Sequence, residues 1–295
     1  MTERGSRGRR TLELLNLTVP FFERRGVDSP RLTAELLLAH VLGCPRIELY
    51  TRFEEDLSEA KVDAYREMVR RRGEREPLQR LLGKTEFRDI EVLCDARAMI
   101  PRQETEALVD MAIAFLEGRP GPAVAEIGVG TGCVCAALAK AVPDCRIVAT
   151  DISLDALELA LQNIEKEGLA ERVRLLEGDL CAPLVAEGYE GSFDLMVSNP
   201  PYVCSGDIAG LQPEVRDHDP RLALDGGEDG LDFYRRLFAE APPLMKPGGG
   251  IIVETADEGQ DEIARMAKAE GWTAIARAKD FAGVDRFLSA ARPAG

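Results

Sequence analysis

Five short segments of this chain are apolar on what would be both faces of a strand, and helical stretches separate most of them. They are Ala123-Val124-Ala125-Glu126-Ile127, Arg146 to Thr150, Val173 to Leu176, Phe193 to Val197 and Ile251 to Glu254. A strand apolar on both sides must be covered on both sides, which is the signature of a parallel sheet sandwiched by helices. Leu154 to Gly168 is one such intervening helix. Alternating strand and helix therefore predicts an α/β domain. At 295 residues, 45% of them apolar, the chain has room for that domain and a smaller companion.

The companion precedes it. From about Thr11 to Arg88 the pattern is helical, with Pro20 predicting a kink or break in the first apolar stretch. Ser29-Pro30 is a start signal, Ser29 to cap free N–H groups and Pro30 to open the first turn. Leu32, Leu36, Leu37 and His40 follow at helical spacing up to Gly43, a stop. Ser58 opens another helix, with Val62, Tyr65, Met68 and Val69 on one face and Arg66, Arg70, Arg71 and Arg72 largely on the other. Between Phe87 and Ile100 the pattern turns towards β and reads as a short hairpin linking the two domains.

Composition excludes several function classes. No apolar run approaches the roughly 20 residues of a membrane span, and the start, MTERGSRGRR, lacks a secretory apolar core. A cytoplasmic protein with no membrane partner is expected. The seven cysteines are odd in number and lack a CxxC pair, so neither a disulfide framework nor a metal site is expected. Cys133 and Cys135 read as small core residues at a helix start. The net charge of −15 argues against nucleic acid as a partner. Met1 to Arg88 holds 18 Lys/Arg against 15 Asp/Glu, roughly +3, which leaves roughly −18 on the remainder.

The first strand runs into Gly128-Val129-Gly130-Thr131-Gly132 and then a helix. Glycines let the backbone turn sharply and approach a ligand. The spacing G-x-G-x-G differs from the G-x-G-x-x-G of dinucleotide sites. The next strand ends at Asp151, followed by Ile152, where a carboxylate can accept from both hydroxyls of a ribose. After the third strand, Asp179 is placed to accept from an adenine amine and Leu180 to cover the base. Together these loops point to S-adenosylmethionine, spent as S-adenosylhomocysteine.

The fourth strand ends in Asn199-Pro200-Pro201-Tyr202, the most specific signal in the chain. An amide or exocyclic amine nitrogen is a poor nucleophile because its lone pair is delocalised. Acceptors for both of its N–H groups, here Asn199 Oδ1 and the Pro200 carbonyl, turn that lone pair towards a methyl donor. The two prolines stiffen the loop and remove donors from it, and Tyr202 offers a flat face for a planar group.

On these residues, and on Ile100-Pro101-Arg102-Gln103-Glu104-Thr105-Glu106 and Pro220 to Asp232, the chain resembles the HemK/PrmC family over nearly its whole length. Members are protein-(glutamine-N5) methyltransferases of class I peptide chain release factors, acting on the glutamine of a Gly-Gly-Gln (GGQ) loop. The resemblance implies a Rossmann-like class I S-adenosylmethionine-dependent methyltransferase domain with a small N-terminal helical domain joined by a β-hairpin. The corresponding bounds are 1–86 for a helical substrate-recognition domain, 87–100 for the hairpin linker and 101–295 for the catalytic domain. It implies cofactor contacts from Glu126, Gly128, Val129, Gly130, Thr131, Gly132, Asp151, Ile152, Asp179, Leu180 and Asn199, and glutamine contacts from Asn199, Pro200, Pro201 and Tyr202. There are three departures from the family pattern: Gln103 stands for proline, Glu126 for aspartate, and the segment Val253 to Ala256 for one that usually reads Glu-Ile-Gly. The rival readings are a glutamine methyltransferase of a ribosomal protein, an adenine-N6 nucleic-acid methyltransferase, and a binding protein that keeps the scaffold without the reaction.

Overall fold

The computed structural model describes residues 10–294, so most of the charged start of the chain lies outside the described residues. The chain divides into two compact units, Met1–Gly83 and Lys84–Gly295.

The first unit is helical: α1 (Thr11–Arg24), α2 (Pro30–Leu42), α3 (Glu59–Gly73) and α4 (Leu78–Leu82). Leu15, Phe22, Leu37, Leu38, Leu49 and Tyr65 make its core. Several expectations need correction. The break at Pro20 does not occur: α1 runs through it, because the carbonyl that loses its N–H partner belongs to Asn16 on the exposed face, where water can serve it. Helix α2 starts at Pro30 and stops at a left-handed Gly43 as expected, yet Ser29 makes no side-chain cap. Its buried face is Ala34, Leu37 and Leu38, while Leu32 and His40 are exposed. Buried on that face is also Glu35, whose carboxyl is held below its ordinary range, against the cost of burial, by Arg31, Arg46 and Tyr50. Ser58 does cap α3, but Arg72 is buried rather than part of a solvated arginine face.

The second unit opens with a hairpin, β1 (Lys84–Phe87) and β2 (Ile90–Leu93). It begins three residues before the expected start, and Phe87, Ile90 and Val92 lie in the core of this unit. There follow α5 (Glu106–Leu116), β3 (Ala123–Ile127), α6 (Cys133–Ala141), β4 (Arg146–Asp151), α7 (Leu154–Lys166), β5 (Val173–Glu177), α8 (Ala182–Ala186), β6 (Phe193–Ser198), α9 (Pro213–Arg216), α10 (Asp232–Glu240), β7 (Met245–Glu254), α11 (Gln260–Ala269), β8 (Thr273–Lys279) and β9 (Asp285–Ala291). Seven strands form one sheet in the order β5-β4-β3-β6-β7-β9-β8. The first five are parallel and β9 runs antiparallel to both its neighbours.

Alternate residues of the same strands go to opposite cores, as double-sided strands require. Val124, Ile147, Leu195 and Val197 face α5, α6 and α7. Ala125, Val148, Met196 and Val253 face α8, α10 and α11. Cys133 and Cys135 are buried at the start of α6. No helix among the described residues is long and apolar enough to cross a membrane. From β3 the chain winds outward through β4 to β5, then returns to lay β6 on the other side of β3. That reversal opens a crevice beyond the carboxyl ends of β3 and β6, where open α/β sheets bind ligands.

Candidate active site

A cavity of about 330 Å³ fills that crevice. The glycine loop after β3 forms one wall. Gly128, Gly130 and Gly132 all have positive φ, and a side chain at Gly128 or Gly130 would project into open space. The loop is pinned to β4: the N–H groups of Gly128 and Val129 both donate to the Thr150 carbonyl at 2.9 and 3.0 Å, and Gly130 N–H donates to Asp151 Oδ2 at 2.9 Å. Gly132 does not line the cavity. A Cβ there would lie 3.1 Å from Ala160 Cα, so this glycine permits α6 and α7 to pack closely rather than admitting a ligand.

Asp151 also accepts from Ser153 N–H at 3.0 Å. Each carboxylate oxygen thus has one backbone donor and a lone pair to spare. Ile152, 53% exposed, lies on the rim. Leu180 has a left-handed backbone, φ 47°, with its carbonyl held by Thr150 Oγ1 at 3.0 Å. Asp179 lines the cavity but is not free: Arg236 of α10 grips both its oxygens at 3.1 and 2.9 Å. The sequence reading missed Arg236 and its neighbour Phe233, which bring α10 to the cavity.

Glu126, on β3 and buried, is the one unsatisfied carboxyl of the lining. Its Oε2 has no hydrogen-bond partner. Burial pushes its pKa up to about 8, and the nearby Asp151 charge adds to this against an opposing bond from Cys135. Proton binding that is stronger in the folded state than near 4.5 stabilises the fold fully at low pH, and that contribution is lost as pH rises through 8. Replacing Glu126 by Gln removes this loss. Without ligand, the melting temperature of Glu126→Gln is expected to exceed that of the wild type by a margin that grows from pH 6 to about pH 8 and then levels off. A margin independent of pH in calorimetric scans would show that Glu126 is not the titrating group.

The other wall follows β6. Asn199 and Pro201 line the cavity, whereas Pro200 and Tyr202 do not. Tyr202 is half-buried against the core that includes Tyr234 and Val253, and burial raises its phenol pKa. The loop is braced from behind by the segment after α9. Val203 N–H donates to the Leu224 carbonyl at 2.9 Å and Gly226 N–H to the Val203 carbonyl at 2.8 Å. Asn199 itself is oriented: its Nδ2 donates to Thr105 Oγ1 at 3.2 Å, and Thr105 Oγ1 donates to Glu254 Oε2 at 2.7 Å. That leaves Asn199 Oδ1, an acceptor, available to a ligand. Arg102 of the same segment as Thr105 is fixed by buried Asp219 at 2.8 Å. Thr105 and Glu254 were not foreseen; the only sequence signal for Thr105 was its place in Ile100 to Glu106.

The crevice therefore joins two half-sites. One is a glycine cradle with carboxylates and an orphaned buried acid, suited to a cationic, ribose-bearing ligand. The other is an acceptor-rich loop suited to an N–H₂ group. The cations that line the cavity, Arg97, Arg102 and Arg236, are each paired with a carboxylate, which leaves little field for a polyanion.

The family model for the PrmC N-terminal domain matches residues 13–83, and that for the methyltransferase small domain matches residues 105–210. A release factor glutamine methyltransferase from Rhodopirellula baltica is 41% identical over 94% of this chain and 95% of its own length. One from Geobacter sulfurreducens is 40% identical over 94% of each. Among solved structures, the hMettl16 catalytic domain in complex with a MAT2A 3'UTR hairpin aligns with a TM-score of 0.60 over 74% of this chain and 81% of that one; at 14% identity the likeness is one of fold.

Proposed function

The chain belongs to the family of release factor glutamine methyltransferases, and we propose that it moves a methyl group from S-adenosylmethionine to the side-chain amide nitrogen (N5) of the glutamine in the GGQ motif of class I release factors. It is an enzyme of the protein-glutamine methyltransferase type. The observation that carries the specific reading is the setting of Asn199, an oriented amide acceptor on the same cavity as the glycine cradle.

The lining fits the cofactor. Its orphaned Glu126 oxygen can meet an ammonium group, the space above Gly128 and Gly130 admits a chain, and Asp151 can take a ribose. Asp179 keeps acceptor capacity for an adenine amine beside Arg236. When bound, the cofactor supplies an electrophilic methyl on a sulfonium.

The protein's own part is to hold the glutamine amide. Asn199 Oδ1 accepts from one of its N–H groups, and the carbonyl of Pro200, next along the chain though outside the lining, is assigned to the other, turning the nitrogen lone pair out of conjugation towards the methyl. No strong base is needed, because the product nitrogen loses its extra proton to water. Holding donor and acceptor in line can be worth about 7–11 kcal/mol in favourable cases. The helical module matched by the PrmC N-terminal domain model is assigned to recognition of the release factor, and the cytoplasm, where release factors work, is its assigned compartment.

The test is mass spectrometry of unmodified release factor after incubation with this protein and S-adenosylmethionine, with a Gly-Gly-Ala variant as control. One added methyl on the glutamine, absent from the control, is expected. No added methyl despite calorimetric binding of the cofactor would overturn the substrate and turn attention to ribosomal protein or nucleic acid.

A further inference from the structure

Asn199 is useful to an N–H₂ acceptor only in one of its two amide orientations. Flipped, it would present Nδ2, a donor, to another donor. What selects the orientation lies behind it, in a chain of two buried side chains from distant parts of the sequence: Thr105, 4% exposed, and Glu254, 2% exposed. The hydroxyl of Thr105 has one proton. Because it donates that proton to Glu254 Oε2 at 2.7 Å, only lone pairs remain for Asn199, which answers with Nδ2 at 3.2 Å. Resting on the methyl-transfer reading of Asn199, we propose that Thr105 and Glu254 are positioning residues forming a polarity relay, in which the Glu254 carboxylate fixes the direction of the Thr105 hydroxyl and thereby locks Asn199 Oδ1 towards the substrate amide.

The relay depends on the charge of Glu254. As a carboxylate it can only accept. Once protonated it can donate to Thr105 Oγ1, and the hydroxyl proton is then released towards Asn199, where it favours the flipped amide. Burial pushes the pKa of Glu254 up to about 7, opposed by the Thr105 bond. The charged groups around it are Arg286 and Arg102, which favour the carboxylate, and Glu104, which disfavours it. The phenols of Tyr202 and Tyr234 are also near, and Tyr234 donates to the Glu254 backbone carbonyl at 2.7 Å. The switch therefore falls near neutrality.

The experiment measures single-turnover methyl transfer against pH, together with calorimetric cofactor affinity and the side-chain NH₂ resonances of Asn199. The wild type should show an acid limb with a midpoint near 7, and the Asn199 resonances should titrate with it. In Glu254→Gln both responses should vanish. Thr105→Val should slow transfer roughly ten- to a hundredfold, the cost of one unpaired buried donor, with cofactor affinity unchanged and with recovery in Thr105→Ser. Wild-type speed in folded Thr105→Val, or an acid limb surviving in Glu254→Gln, would overturn the relay. A wild type that methylates no release factor would sink the substrate reading instead, and the Asn199 titration would still decide the relay.

Discussion

Asn199→Ala is expected to slow methyl transfer by about a thousandfold or more while the protein still folds and still binds cofactor. The variant removes the Oδ1 acceptor and strands a glutamine N–H, at about 1–3 kcal/mol. Loss of one oriented polar group that acts at the reacting centre costs about 10²–10³ in rate in comparable sites, and lost alignment of the lone pair adds to it. The fold should survive because Asn199 sits in a loop after β6 and contributes only one side-chain bond, to Thr105. The measurement is single-turnover transfer to unmodified release factor beside calorimetric titration with cofactor. Turnover near the wild-type rate in a folded Asn199→Ala protein would remove Asn199 from the mechanism, and the Thr105–Glu254 relay behind it would lose its purpose.

The parts of this site that could be read in the sequence are those encoded locally. Strands β3, β4, β5, β6 and the end of β7 were legible because residues of both faces are apolar, a pattern that survives without any knowledge of neighbours. The glycine loop and the tetrapeptide at Asn199 were legible because each follows its strand directly. Strands β8 and β9 were not: β8 is an exposed edge whose residues are mostly solvated, so it lacks the double-sided apolar signal. The face of α2 was misplaced because Leu32, Leu36, Leu37 and His40 satisfy helical spacing as well as the true inner face does. Glu35, a carboxylate on that inner face, is stabilised by arginines whose approach no periodicity reveals.

The relay behind Asn199 was invisible for a related reason. Thr105 and Asn199 are 94 residues apart, and Thr105 and Glu254 are 149 apart. Only the crossovers that lay β6 beside β3 and β7 beside β6 bring them together. Likewise Asp179 could be placed at a strand end but not seen to be held by Arg236, since α10 reaches the cavity only through the folded chain. The family resemblance places Glu126 at the cofactor; that one of its oxygens is buried without a partner is a property of the packed structure.

Gly230→Ala should be the most damaging change outside the two ligand-facing loops. Gly230 has φ +74°, which disfavours any side chain, and a Cβ there would sit 2.5 Å from the Tyr202 carbonyl oxygen. Backbone cannot swing aside as a flexible side chain can. Its neighbour Gly226 is similarly tight, with a built Cβ 2.8 Å from Tyr202 Cα, so the Pro220 to Asp232 segment has no slack in which to retreat. Something must shift, and the ladder between Val203, Leu224 and Gly226 transmits the shift to the Asn199 loop. A displacement of about 1 Å in a positioning element can cost about a hundredfold in rate, and the left-handed backbone adds roughly 1–2 kcal/mol of strain. Transfer by Gly230→Ala is therefore expected to fall about a hundredfold with a lower melting temperature, while cofactor affinity changes little because the glycine loop follows β3 and Asp151 ends β4, away from this brace. Gly206→Ala is the matched control, since a Cβ there meets nothing within 4 Å. Equal losses in the two variants would mean that general loop rigidity matters and the close approach does not; a wild-type rate in Gly230→Ala would mean that the brace behind Tyr202 plays no part in placing the glutamine.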